Sequence, residues 1–128
     1  MVEFEDKAKD VIEKTEVVCV GTCGKDGPHL VATWGDYIRT IGAQDPGTIV
    51  IPAGGFLKTE ENLRINDRVE VIMASKEVEG TRSMGKGFLF SGRGEIQTSG
   101  ELAELAKSKY SWARGALVIH VEKIKGLL

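Results

Sequence analysis

The stretch Pro52-Ala53-Gly54-Gly55-Phe56-Leu57-Lys58-Thr59 is where this sequence is best equipped for chemistry. An apolar run ends in paired glycines, and a polar, helix-forming run begins just beyond. Paired glycines let a backbone turn sharply and approach a ligand closely. The first N–H groups of a helix lack partners within it, and the helix dipole there favours an anion. Lys58 adds a positive charge and Thr59 a hydroxyl donor, so the segment reads as a phosphate cradle. The competing reading is an ordinary turn followed by a capped helix. Thr59 is then the possible cap, and Glu60 and Glu61 are first-turn carboxylates facing solvent. Aromatic residues are only 6% of the chain, so the placement of both tryptophans matters. Trp34 and Tyr37 flank Gly35, and Trp112 stands two residues before Arg114. Such residues suit the walls around a flat ligand, or plugs at the ends of a barrel.

Other reactive types fit chemistry less well. His29 and His120 are the only histidines. Neither pairs with a nucleophile or with metal-ligand spacing, and His120 alternates with core residues on a strand. Gly80-Thr81-Arg82-Ser83-Met84-Gly85-Lys86-Gly87 nearly matches a nucleotide phosphate loop. It fails because Gly87 replaces the hydroxyl that would hold Mg²⁺, and a strand follows where a helix is needed. The segment reads as a glycine loop. Cys19 and Cys23, four apart on one strand-like run, are poor disulfide partners and too few for structural zinc. Buried free thiols of a reducing cytoplasm are the expectation.

These residues must be held by short elements. Phe4, Ala8, Val11 and Ile12 recur at helical spacing, predicting an amphipathic helix over 3–14. Val17 to Thr22 is β-branched and almost wholly apolar, as in a strand buried on both faces. A turn over 24–28 leads into a second strand from His29 to Trp34. A glycine-bearing loop over 42–47 precedes a strand from Thr48 to Ile51. A short helix follows over 58–66. A fourth strand sets Val69, Val71 and Met73 against Arg68 and Glu70. After the loop over 80–87, a fifth strand runs from Phe88 to Ile96, weakened or bulged near Gly92 and Gly94. Ser99 caps a helix bearing Leu102, Leu105 and Ala106, and a last strand runs from Ala116 to about Glu122. Six short strands with few helices predict a mainly β fold, a small β-barrel with peripheral helices.

Composition agrees with one folded domain spanning 1–128. The chain has 128 residues, 41% hydrophobic and 28% charged, within globular usage. A net charge of −2 points to no nucleic-acid or membrane surface. No apolar run approaches the roughly 20 residues of a membrane span. The acidic start Met1-Val2-Glu3-Phe4-Glu5-Asp6 is unlike a signal peptide.

The ordered set of motifs resembles the small dimeric FMN-binding proteins of the pyridoxamine-phosphate-oxidase-like split-barrel superfamily. The matching stretches are Asp26-Gly27-Pro28-His29-Leu30-Val31, Thr33-Trp34, Pro52 with Gly54-Gly55, and Lys58-Thr59-Glu60. Gly87-Phe88-Leu89, Trp112-Ala113-Arg114 and Ala116-Leu117-Val118-Ile119 follow in register. The resemblance implies a six-stranded antiparallel split β-barrel, a homodimer, and one FMN per subunit at or near the interface. It places Lys58 and Thr59 on the FMN phosphate, with Gly54 and Gly55 lining the approach. Pro52 and Ala53 would run past the ribityl chain or ring edge. Thr33 and Trp34 would contact the flavin, with Tyr37 and Trp112 near the ring. Leu128 would reach over the partner subunit's flavin, and Ser75 would offer a polar contact. Relatives carry asparagines at the positions of Ala32 and Gly35. Here any flavin hydrogen bonds made by those amides fall to backbone or water, or are absent.

With an FMN site but no obvious second pocket and no convincing acid–base pair, the expectation is a small redox carrier whose electron donor and acceptor are unidentified. One alternative is an FMN-dependent oxidoreductase, either a pyridoxamine-phosphate-like oxidase or an NAD(P)H flavin reductase, with Arg82, Lys86 and Arg114 supplying positive charge. Another is a barrel that binds a different planar ligand or stores FMN.

Overall fold

The computed structural model describes residues 2–42 and 47–128, so part of the expected 42–47 loop lies outside the described residues. The helix α1 (Asp6–Lys14) leads into the hairpin β1 (Val17–Gly24) and β2 (Gly27–Trp34). A helix α2 (Gly35–Ile41) follows, then β3 (Thr48–Ala53), α3 (Leu57–Ile65), β4 (Arg68–Glu79), β5 (Met84–Gln97), α4 (Glu101–Lys109) and β6 (Gly115–Leu127). The strands form one antiparallel sheet in the order β2-β1-β4-β5-β6-β3. It curls into a split barrel flanked by the four helices.

The core follows from the sequence pattern. Ala8 and Val11 of α1 are fully buried with Val18, Val20, Val71, Met73, Phe90, Leu117 and Ile119. Phe4 packs edge-on to Phe90, with ring centroids 5.6 Å apart. Burying such side chains is worth roughly 1.5–3 kcal/mol each. A second cluster joins Val50, Ala116 and Val118 to Ala106 of α4. Gly92 lies opposite a register shift, where β6 carries Glu122 as an extra residue, and a Cβ at Gly92 would meet the His120 carbonyl at 2.0 Å. The expected irregularity near Gly92 is thus a bulge that only glycine permits.

Several expectations need correction. β1 is buried on one face only: Val18, Val20 and Thr22 point inward, whereas Val17 and Cys23 are exposed. Cys19 and Gly21, on the same face as Val17 and Cys23, are only half-buried, so an apolar sequence does not imply two-sided burial. Both thiols are free, but Cys19 is half-buried and Cys23 exposed rather than buried. Residues 35–41, to which the sequence pattern assigns no element, form α2. Its ends carry Asp36 and Arg39, paired at 2.6 Å across one helical turn, a local signal passed over. The expected 80–87 loop shrinks to a tight connection, because β4 and β5 extend to Glu79 and Met84. Gly80 N–H donates to the Ser83 carbonyl at 2.8 Å to close it. Gly100, at φ +97°, is the N-cap of α4, not Ser99. β6 runs five residues beyond the expected Glu122, to Leu127.

Candidate functional site

β2 and β3 are the two edges of the sheet, at opposite ends of its strand order. Yet Val31, Ala32 and Thr33 of β2 line one groove of about 420 Å³ together with Pro52 of β3. The groove therefore lies in the split of the barrel, where two edge strands face each other without pairing. Pro52 suits this edge, since it has no N–H to offer a further strand. Gly54, Gly55, Phe56, Tyr37 and Trp112 complete the walls.

The aromatic cluster at its wall comes from two parts of the chain, α2 and the end of α4. Tyr37 of α2 meets Trp112, after α4, at 5.2 Å between centroids, and Tyr110 lies 5.0 Å from Tyr37 and 5.1 Å from Trp112. Edge-on and tilted contacts of this kind add about 0.5–1.5 kcal/mol beyond area burial. Trp112 remains 47% exposed and Trp34 50%, so neither plugs a barrel end. Trp112 faces the groove, whereas Trp34 lies on the exposed face of β2.

The turn from β3 into α3 is tightly built. Gly54 lies against Trp112: a Cβ there would come within 2.8 Å of the indole. Beside Gly55 the space is open. Phe56 adopts the left-handed conformation, φ +60°, and is the N-cap of α3, without a side-chain capping bond. Thr59 is thus not the cap. It sits in the first turn, fully buried, and its hydroxyl has no hydrogen-bond partner among the described residues. An unpartnered buried hydroxyl normally costs about 1–3 kcal/mol. The N–H groups of Leu57, Lys58 and Thr59 lie at the same helix start, where helix geometry leaves them without intrahelical acceptors.

Arg114 organises this turn. Its guanidinium donates to the Gly54 carbonyl at 3.0 Å and to the Gly55 carbonyl at 2.7 Å, and its backbone N–H to the Ala53 carbonyl at 2.8 Å. It also pairs with Glu60 at 3.1 Å, which holds that carboxylate largely out of solvent, contrary to expectation. Arg114, a residue expected to supply positive charge to a substrate in the oxidoreductase alternative, is a strap across both glycines.

Lys58 is engaged as well. Its ammonium donates to Asp26, in the β1–β2 turn, at 2.6 Å and lies 3.7 Å from Glu61. The Lys58 hydrogen bond and charge hold the Asp26 carboxyl below its ordinary range, and the bond to Asp26 raises the Lys58 ammonium above its own. A turn aspartate is usually only a turn former, so sequence alone does not pair Asp26 with Lys58.

Not all expected site residues converge. Gly35 is buried as the first residue of α2, where a Cβ would lie 2.1 Å from the Thr15 carbonyl. It serves α1–α2 packing. Ser75 and Leu128 line a different groove, at the far end of β4 and β5. Among the described residues, no helix is long and apolar enough to cross a membrane.

Curled sheet, open split and anion-suited helix start together define a split-barrel protein with a ligand groove between its edge strands. The sequence profile of the pyridoxamine 5'-phosphate oxidase family matches residues 4–127, and the chain belongs to that family. A relative named FMN-binding protein, from Nitratidesulfovibrio vulgaris (strain DSM 19637 / Miyazaki F), is 41% identical over 112 residues, 88% of either chain. Among solved structures, HupZ of Group A Streptococcus is 25% identical, with 97% of this chain and 94% of that one covered and a TM-score of 0.77. An FMN-binding protein from Syntrophomonas wolfei shares the fold at 16% identity, with 96% and 85% covered and a TM-score of 0.70.

Proposed function

We propose that this chain binds FMN non-covalently and works as a homodimeric electron carrier in a reducing compartment such as the cytoplasm. The observation that carries the reading is the unpartnered, buried Thr59 hydroxyl beside Lys58, at a helix start opening from Gly55 onto an aromatic-walled groove. The residues fit the group: a phosphate needs donors and positive charge, and a flat ring needs apolar walls. Lys58, Thr59 and the first α3 amides hold the phosphate. Gly54 and Gly55 let it approach, Pro52 and Ala53 flank the ribityl chain, and Thr33, Tyr37 and Trp112 border the ring. The name of the Nitratidesulfovibrio relative supports the same cofactor. Bound FMN supplies hydride and one-electron chemistry, while the protein sets its exposure and potential. The half-exposed Trp112 leaves the groove open to solvent on one side, which suits electron exchange at a ring edge.

The outer face of the sheet supports self-association. Leu30 is 71% exposed there, and Val17, Trp34 and Ile72 are about half exposed. The register joins them into one patch, since Trp34 pairs with Val17, Leu30 with Gly21, and Cys19 with both Ala32 and Ile72. A second copy is the occupant that this patch fits, through a two-fold contact.

A second reading, FMN-dependent turnover of a soluble substrate, is favoured by the basic groove at Ser75 and Leu128. Mixing the FMN-loaded protein with NAD(P)H or pyridoxamine phosphate in air separates the two. A carrier gives at most one slow reduction per flavin; rapid multiple turnovers would assign an oxidase or reductase instead.

A further inference from the structure

Asn62 lies one turn beyond Thr59 on the same face of α3, the helix whose start forms the cradle. Both side chains are buried, each 1% exposed. The Asn62 Nδ2 donates to the Thr22 hydroxyl of β1 at 3.1 Å, and Thr22 is itself buried. The Asn62 Oδ1 has no hydrogen-bond partner among the described residues. Buried amides are normally satisfied, so one kept half-satisfied where an apolar side chain would fit calls for a role.

Among the described residues, two hydrogen bonds join α3 to the β1–β2 hairpin. One is at the surface, from Lys58 to Asp26. The other is buried, from Asn62 to Thr22. They differ in their relation to a bound phosphate. Lys58 has to turn from Asp26 to reach it, so the outer bond is given up when the cradle fills. Neither Asn62 nor Thr22 lines the aromatic groove, so the inner bond stays. Leu63 also packs α3 onto the core, but apolar contact is non-directional and leaves a helix free to rotate or slide. A hydrogen bond sets the rotation. Its anchor stands on the sheet, since Thr22 pairs with His29 of β2 on one side and Val69 of β4 on the other. The hairpin end also fits closely: a Cβ at Gly24 would overlap the Asn62 amide and lie 3.3 Å from the Asn62 Cα.

Resting on the FMN reading of this cradle, we propose that Asn62 is a positioning residue for the FMN phosphate. Its bond to Thr22 fixes the rotation of α3 about its own axis. The Thr59 hydroxyl and the first α3 amides then keep their aim while Lys58 changes partner. Arg114 holds the turn before the helix, and Asn62 holds the helix itself. Asn62 acts through Thr59 and these amides and does not touch the cofactor.

The test compares the parent with Asn62→Ala and with Thr22→Val, which removes the acceptor and nearly keeps the side chain's shape. NMR of the flavin-free proteins is expected to show the amides of Leu57, Lys58 and Thr59 shifted in both variants. Fluorescence titration is expected to show FMN affinity about three- to tenfold weaker in each, the scale of one neutral hydrogen bond, with riboflavin affinity unchanged. The double variant N62A/T22V should bind FMN no more weakly than the weaker single variant, because both changes remove the same bond. Thr22→Val carries the test by itself if Asn62→Ala does not fold. The proposal is overturned if these amides are unmoved in Thr22→Val, if its FMN affinity equals the parent's, or if FMN and riboflavin lose equally. Losses that multiply in the double variant would also overturn it, since the two side chains would then act separately. Absence of FMN binding by the parent, with the amides still displaced in the variants, would instead fall on the FMN reading and leave Asn62 as the residue that sets the helix start.

Discussion

Lys58 stands between two anions, its resident partner Asp26 and the proposed phosphate. Lys58→Ala should weaken FMN binding roughly 10- to 100-fold, as for one charge-assisted contact, and leave riboflavin affinity unchanged. Fluorescence titration with both flavins measures this; equal losses for the two would move the phosphate away from Lys58. Asp26 competes for the same ammonium at 2.6 Å. Asp26→Asn should therefore tighten FMN binding severalfold, and an unchanged or weaker affinity would mean that the carboxylate does not oppose the phosphate. The pair also sets a pH window. Asp26 is held below its ordinary 3.8, so its contribution is present above that value and is lost as pH falls through the folded one. Lys58 is held above its ordinary 10.5, so its contribution is complete below that value and is lost as pH rises through the folded one. Between these limits the pair should be pH-independent, and both carboxylate and ammonium are too exposed to matter greatly for stability. Gly35 makes a sharper stability prediction. Gly35→Asn should cost about 1–3 kcal/mol in urea unfolding, because its Cβ has no room beside the Thr15 carbonyl. A neutral substitution would show that α1 and α2 separate easily.

At the scale of elements, the cradle depends on Arg114 holding the β3–α3 turn. Arg114→Lys keeps the charge but not the fork that reaches both glycine carbonyls. It should speed amide exchange over residues 54–58 and weaken FMN binding several-fold. Unchanged exchange would mean that the glycine turn holds itself. The sequence made some of this legible. The Pro52–Thr59 run declared its strand, turn and helix through residue type alone, and Val69, Val71 and Met73 declared an inward face by alternation. Less legible was anything decided by distant partners. Thr59 looked like a cap because threonine commonly is one, but Phe56 takes that place in the left-handed conformation. Glu60 looked solvated until Arg114, far along the chain, proved to face it. α2 was missed because seven residues carry little periodicity and a glycine starts it. The extension of β4 and β5 was hidden by glycines at 80, 85 and 87, which read as loop in sequence but lie within or beside paired strands.

At the scale of the whole molecule, the curled sheet creates the aromatic groove and leaves one apolar face bare. The edges β2 and β3 leave the barrel split, so that a ligand can enter between them. The uncovered hairpin β1–β2 leaves an apolar patch that a second copy would cover. Leu30→Glu, at the most exposed side chain of that patch, should yield a folded monomer by light scattering and circular dichroism. A dimer that persists would place the contact elsewhere, and a parent protein that is monomeric would remove the dimer from the account. The central claim is the flavin. It is tested most directly by titrating FMN, and riboflavin in parallel, into flavin-free protein while recording the visible spectrum. The account predicts saturable binding of FMN with a perturbed flavin band and much weaker binding of riboflavin. Absence of FMN binding, or equal affinity for the two flavins, would contradict a phosphate cradle at Lys58 and Thr59.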